Sequence, residues 1–300
     1  MGAERWKKAL AVVIGAAIAY WFLDDFDPDS LKGKRVLVTG ASTGIGEQLA
    51  YHYSKLGADV IVTARRQHAL QKVVQNCKEL GQGVYGYIVA DMGNLSAADM
   101  VIQEATRQLG GLDILVLNHI LPHPLAPWSG SHDNLTLLQR LFDVNLHSYI
   151  HLTSAALPWL HQSSGSVIVM SSLAGKVGIP YVAAYSATKF ALNGFFSSLR
   201  NELLLEGTPD ISITLCTIGL VGTENAINHL TSFGNAAIFD KLKPADPADA
   251  ALAVLQGGAA RKREVFYPYM STKPICMLRD WFPETINYVV RYFNARSKKR

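Results

Sequence analysis

The sequence predicts an α/β fold: a doubly wound parallel sheet covered by helices on both faces, preceded by a hydrophobic anchor helix. Three observations carry this reading. Short, continuous apolar runs recur along the chain, as in strands buried on both faces. Longer segments with helical spacing separate them, so successive strands are joined by crossovers rather than hairpins. No linker rich in Pro, Gly or Ser interrupts residues 31–300, which are therefore read as one domain behind a separate 1–30 segment.

The 1–30 segment reads as a signal anchor. Basic Arg5, Lys7 and Lys8 precede fifteen mostly apolar residues, Ala9–Leu23, and acidic Asp24, Asp25 and Asp27 follow. Fifteen helical residues rise about 22 Å, and Trp6 with snorkelling Lys7 and Lys8 extends the span toward the roughly 30 Å of a hydrocarbon core. The positive-inside rule leaves the N-terminus in the cytosol and puts the rest of the chain on the lumenal side of the endoplasmic reticulum membrane. The alternative is a cleaved signal peptide and a secreted protein, because Ala17, Ile18 and Ala19 fit a small-x-small cleavage site. In both cases Asn94-Leu95-Ser96 and Asn134-Leu135-Thr136 become glycosylation sequons on the secretory side.

Within residues 31–300 the strand-like runs are Arg35–Thr39, Asp59–Ala64, Val84–Ala90, Asp113–Leu117, Ser166–Ser171 and Ile211–Thr217. Helical spacing fills Gly46–Leu56, Gln67–Leu80, Ala97–Leu109, Leu135–Leu160 and Ala183–Glu206. Right-handed crossovers wind these into a sheet of Rossmann type, whose ligands bind at the carboxyl ends of the strands. An apolar content of 49% supports a sizeable core, and a net charge of +4 without long basic runs argues against nucleic acid as a partner. The three cysteines, Cys77, Cys216 and Cys276, have no metal-ligand spacing and form no disulfide framework, so no metal site is expected.

The first strand runs into Thr39-Gly40-Ala41-Ser42-Thr43-Gly44-Ile45-Gly46 and then a helix. Glycines here permit a tight turn and let backbone amides approach a pyrophosphate at the positive end of the helix. The second strand ends in Thr63, Ala64, Arg65 and Arg66, where an NAD-binding chain would carry an acidic residue for the ribose 2′-hydroxyl. Two arginines suit a 2′-phosphate through charge-assisted hydrogen bonds, so the expected cofactor is NADP(H). Asp91 and Met92, ending the third strand, are placed to flank the adenine. Asn118, His119 and Ile120, ending the fourth, lie along the cofactor path. His119 is read as a packed loop residue rather than a base.

Tyr185 and Lys189 sit four apart near the start of a helical run and so share one face. A neighbouring ammonium favours tyrosinate and is expected to lower the phenol pKa, fitting it to pass a proton to or from a hydroxyl or carbonyl. Ser171 and Ser172, closing the fifth strand, supply hydroxyls that could polarise the same oxygen.

These motifs together resemble the short-chain dehydrogenase/reductase family, in its 11β-hydroxysteroid dehydrogenase group. The resemblance runs through Thr39–Gly46, Leu117-Asn118-His119, Ser171-Ser172-Leu173-Ala174-Gly175-Lys176, Tyr185–Leu192 and Gly194–Ser198, from the anchor to about residue 290. It implies Tyr185 as general acid/base and Ser172, thirteen residues earlier, as the serine that orients the reacting oxygen. It also implies that Lys189 holds the nicotinamide ribose and tunes Tyr185, and that Asn145 completes a proton relay through a bound water. Ser172 and Tyr185 would then contact substrate. Thr43 departs from the pattern, standing where many NADP-preferring relatives carry a basic residue. The loop after the sixth strand lacks the usual proline–glycine pair, as this group does; there Leu220 lines the cofactor path and Thr223 reaches the nicotinamide amide or a phosphate.

By this resemblance the chain interconverts a secondary alcohol and a ketone on a hydrophobic, steroid-like substrate. A retinoid or other carbonyl substrate is the alternative, and a dinucleotide-binding pseudo-enzyme is the rival from another class. Residues 220–245 read as a lid. Beyond Arg261, the apolar residues Phe266, Tyr267, Tyr269, Met270, Met277, Trp281 and Phe282 are read as core or homodimer packing, or as a lip against the bilayer. Ile286, Val289, Val290 and Phe293 recur on one helix face.

Overall fold

The computed structural model describes residues 26–207, 211–232 and 243–294, together with Val12 and Gly15. Apart from those two positions, the expected anchor helix therefore lies outside the described residues. No described helix is long and apolar enough to cross a membrane.

Seven strands form one parallel sheet: β1 (Arg35–Thr39), β2 (Asp59–Ala64), β3 (Tyr85–Val89), β4 (Ile114–Leu117), β5 (Ser166–Ser172), β6 (Ser212–Ile218) and β7 (Glu264–Tyr267). Their order across the sheet is β3-β2-β1-β4-β5-β6-β7. The helices are α1 (Gly44–Lys55), α2 (Gln67–Leu80), α3 (Ala97–Leu109), α4 (His132–Phe142), α5 (Ser148–Ser163), α6 (Ala183–Leu205), α7 (Glu224–Ser232), α8 (Pro247–Ala259), α9 (Tyr269–Leu278) and α10 (Pro283–Asn294).

The period-two geometry of a strand sorts the apolar residues into two layers. Val36, Val38, Val60, Val62, Val116, Ile168 and Cys216 face one side, where Leu49 and Tyr53 of α1, Leu70 and Val73 of α2, and Val254 and Leu255 of α8 cover them. Leu37, Ile61, Leu115, Leu117, Val167, Val169 and Leu215 face the other, against Val101 of α3, Tyr149 and Leu152 of α5, and Leu192 and Phe196 of α6. Both faces are dry, which is why these strands read as unbroken apolar runs.

Several elements differ from the sequence reading, among them α8 and α9, which it did not include. The helix expected at 135–160 starts at His132 and is split by a π-helical turn, Asp143–His147. That turn lies inside an unbroken helical pattern, so apolar spacing alone does not reveal it. The fifth strand extends to Ser172, paired with Ile218 of β6. The seventh strand was not anticipated. It is only four residues long and runs beside β6, with Cys216 opposite Val265. Of the C-terminal stripe, Ile286 and Val290 are buried and pack with Val177. Met270 and Trp281 are each 80% exposed.

The order reverses between β1 and β4, whose carboxyl ends, Thr39 and Leu117, flank a crevice. Such a switch point is where open α/β sheets bind ligands.

Candidate active site

The wall of the crevice is backbone. Gly40 has φ +63°, and a Cβ there would sit 2.5 Å from the Cα of His119. A Cβ on Gly46 would meet the carbonyl oxygen of Gly40 at 2.6 Å and collide with the Asn118 amide. Gly44, at φ +66°, opens α1. Thr43 precedes it in extended conformation and its side chain makes no cap to the helix. The first amides of α1 are thus left to a ligand, and the helix end favours an anion.

Asn118 locks the turn from across the switch point. Its amide Nδ2 donates to the carbonyls of Thr39 and Gly40, both at 3.1 Å, and its backbone N–H donates to Thr39 Oγ1 at 2.9 Å. His119 is 7% exposed, with Nδ1 2.8 Å from Thr39 Oγ1 and Nε2 2.6 Å from Ser148 Oγ. Burial, and then the nearby Lys189, push its pKa down to about 3, so the ring is a neutral strut between β1, β4 and the first turn of α5.

These residues line a cleft of about 440 Å³. Gly40, Ser42, Thr43, Gly44 and Ile45 form its floor. Arg65 and Arg66 are exposed at its mouth, where Arg66 Nη2 donates to Ser42 Oγ at 3.2 Å. Asp91, Met92, Asn118, His119 and Ile120 form one wall, and Leu220 and Thr223 another. Thr223 Oγ1 accepts from Ala226 N at 3.3 Å and so starts α7. Gly46 does not line the cleft; it stands behind the floor. The glycine cradle and the uncapped helix end fit a nicotinamide dinucleotide.

Ser172, Tyr185 and Lys189 lie at the far end of this cleft. Ser172 ends β5, with its Oγ accepting from Ala174 N at 3.2 Å. Tyr185 and Lys189 occupy successive turns of α6. The Lys189 side chain is 1% exposed, donates to the carbonyl oxygen of Met170 at 2.8 Å and places Nζ 5.7 Å from the centre of the Tyr185 ring. Burial pushes Lys189 down to about 7. Burial also pushes Tyr185 up to about 12, while its hydrogen bond with Ser172 pulls the other way. The expected lowering of the phenol by its neighbour is therefore corrected for the protein alone. Lys189 sits in a dry wall, Tyr185 is half-buried at the surface of the clefts, and the ammonium is bonded to a carbonyl rather than to the phenol.

Asn145 does not line either cleft. It is fully buried in the π turn, its Oδ1 accepting from Leu121 N at 2.8 Å and its Nδ2 3.4 Å from Thr188 Oγ1. Thr188 Oγ1 in turn donates to the Tyr185 carbonyl at 2.7 Å. Asn145 thus ties the loop after β4 to the helix that carries Tyr185 and Lys189.

A second cleft, of about 340 Å³, opens beside the first. Its walls are largely apolar: Ile120, Pro122, Leu125, Ile179, Val182 and Leu220. Ser172 and Tyr185 line both clefts, whereas Lys189 faces only the first. Two contacts here escaped the sequence reading. His123 stacks on the Tyr185 ring, and Tyr181, at φ +71°, accepts at its carbonyl from Ala126 N at 3.1 Å. Proline on either side of His123 was the available signal.

The site and fold define an oxidoreductase of the nicotinamide-dependent, doubly wound class, and residues 34–231 match the short chain dehydrogenase family, to which the chain belongs. It is 48% identical over 290 residues to the hydroxysteroid 11-beta-dehydrogenase 1-like protein of Xenopus tropicalis, covering 96% of each chain. It is 46% identical over 286 residues to the protein of that name from Danio rerio, covering 95% of this chain and 96% of the relative. Among solved structures, a short chain dehydrogenase from Shigella flexneri complexed with NADP superposes with a TM-score of 0.69 at 26% identity, over 80% of this chain and 98% of that one.

Proposed function

We propose that the protein is an NADP(H)-dependent oxidoreductase that interconverts a secondary alcohol and a ketone on a hydrophobic, steroid-like substrate. One observation carries this reading: Ser172 and Tyr185 stand where a glycine-floored cleft and an apolar cleft meet. A reacting carbon held there touches both a dinucleotide and a greasy substrate body. The nicotinamide, when bound, supplies or accepts the hydride.

Gly40, Ser42, Thr43, Gly44 and Ile45 would hold the pyrophosphate side, and Arg65 and Arg66 the 2′-phosphate. Asp91 and Met92 would flank the adenine, and Leu220 and Thr223 would close on the nicotinamide end. Tyr185, a neutral phenol with a pKa near 12, holds the proton that a ketone oxygen needs. Ser172 holds that oxygen in place by hydrogen bonding. Lys189 positions the ribose and restores the proton, and Asn145 fixes the loop and helix between which this transfer runs. The names of the Xenopus and Danio relatives support the steroid class, and the apolar second cleft is consistent with it. The direction of the reaction follows the NADPH/NADP+ ratio around the enzyme.

The same reading places the protein at the endoplasmic reticulum membrane through residues 1–30, with its catalytic domain lumenal and pairing as a homodimer. Secretion after cleavage is the alternative. Protease protection in microsomes, with alkaline extraction, separates the two.

The direct test is steady-state cortisone reduction by the purified protein with NADPH and with NADH, alongside Tyr185→Phe. NADPH-selective turnover that vanishes in Tyr185→Phe is the expected result. Tight NADPH binding with no turnover of cortisone, a retinoid or a small carbonyl would mark a non-catalytic dinucleotide-binding protein.

A further inference from the structure

We infer that His123 is a positioning residue for Tyr185, bracing the phenol ring from the substrate side so that its hydroxyl is held toward the reacting oxygen. The inference rests on the reading of Tyr185 as acid/base. The two rings stack with centroids 4.6 Å apart and planes 30° from parallel. That spacing lies within the range of offset aromatic stacks. Both residues line the apolar cleft, so the stack stands in the wall that a substrate would touch.

The chain around His123 is built to hold this contact. Pro122 and Pro124 flank it. Each proline fixes its own φ and biases the residue before it toward extended backbone, so the segment has few conformations to lose. The segment is also pinned on both sides. Leu121 N donates to Asn145 Oδ1 at 2.8 Å, and Ala126 N donates to the Tyr181 carbonyl at 3.1 Å. His123 Nδ1 lies 3.3 Å from the carbonyl oxygen of Pro124 within its own loop. The buried amide of Asn145 therefore does two things at once, anchoring this loop and, through Thr188, the turn of α6 that carries Tyr185.

Tyr185 needs such a brace. The torsion that turns a phenol ring about its Cβ–Cγ bond has a broad minimum, so helix α6 alone leaves the ring free to tilt. An ångström of misplacement at a reacting atom costs about a hundredfold in rate. A flat ring against the phenol face removes most of that tilt. The contact requires an aromatic face and not an exchangeable proton.

The test uses the full chain with NADPH and cortisone, or the planar diketone 9,10-phenanthrenequinone where cortisone is not turned over. His123→Ala is expected to lower kcat about tenfold, while NADPH binding, followed by its fluorescence, stays within about twofold. His123→Phe keeps the flat face and is expected to return kcat to within about twofold of the unaltered protein. Should His123→Ala fail to fold, His123→Leu takes its place with the same expectation. Unchanged kcat in the ring-less variant overturns the inference, and so does a His123→Phe variant as slow as His123→Ala, which would assign the effect to the imidazole nitrogens. Turnover that survives Tyr185→Phe, or an unaltered protein that turns over neither probe, brings down the acid/base reading and this inference with it. A dead Tyr185→Phe beside a fully active His123→Ala brings down the inference alone.

Discussion

The two clefts that meet at Tyr185 are made of different materials. The larger has a floor of backbone, where a Cβ on Gly40 would collide with His119 and one on Gly46, just behind it, with Gly40 and Asn118, and a helix end without a side-chain cap. The smaller is walled by side chains on loops, among them Leu125, Ile179 and Tyr181. Backbone offers the same amides whatever the neighbouring side chains, so the first cleft suits one ligand type and tolerates little change. A side-chain wall can be recut one residue at a time without disturbing the sheet. The contrast explains how one scaffold keeps its dinucleotide site while changing what it acts on.

The comparison is sharpest at the junction. Tyr185→Phe is expected to lower turnover at least a thousandfold while NADPH affinity changes less than about twofold. A residual rate above one tenth would remove Tyr185 from its role. On the backbone side, Gly46→Ala forces a Cβ to within 2.6 Å of the Gly40 carbonyl, costing about 2–3 kcal/mol of stability and weakening NADPH binding at least tenfold. Chemical denaturation with dinucleotide titration would check both, and a neutral outcome would show that the floor can yield. Replacing Arg65 and Arg66 together by Ala is expected to reduce the preference for NADPH over NADH about tenfold or more. An unchanged ratio from paired titrations would put the 2′-phosphate elsewhere. On the side-chain wall, Ile179→Ala is expected to shift KM several-fold and widen the substrate range, with NADPH affinity intact. A loss of dinucleotide binding in that variant would show that the clefts are not separable.

The smallest effect is on stability. Lys189 has a folded pKa of about 7 against an ordinary value of 10.5, so the unfolded chain binds more protons between those limits. Stability of the dinucleotide-free protein should therefore rise with pH through that window and be lost as pH falls toward 7. Tyr185, pushed up to about 12, acts in the opposite sense only above its ordinary value of 10. Thermal midpoints from pH 7 to 9.5 should climb by about a few degrees, and Lys189→Met should flatten the climb. Parallel slopes in the two proteins would mean that the ammonium is not desolvated.

The dinucleotide cleft was legible in the sequence because its requirements are local. Gly40, Gly44 and Gly46 fall at fixed offsets after a strand, and Tyr185 and Lys189 at fixed offsets in a helix. Six of the seven strands were legible because burial on both faces makes them apolar throughout. What escaped is assembled across the chain. The four residues of β7 gain their meaning only beside β6, and Asn145 is aimed by a π turn that apolar spacing cannot register. The net direction of the Tyr185 pKa depends on how dry the wall is, which no i, i+4 pattern reports. His123 had a local signal in its two prolines, yet its partner lies sixty-two residues further along the chain.

The π turn at Asp143–His147 has one more consequence. Such a turn holds one residue more than a regular helical turn, so it advances everything after it by about 100° around the helix axis. Tyr149, Leu152, Ala156 and Leu160 meet the sheet because of that offset. A regular helix through the same number of residues would turn this face about 100° away from the sheet, whereas trimming one residue together with the π turn would leave it where it is. At this point of the molecule the number of residues is itself a structural component, and the turn type and the residue count have to change together to keep that face on the sheet.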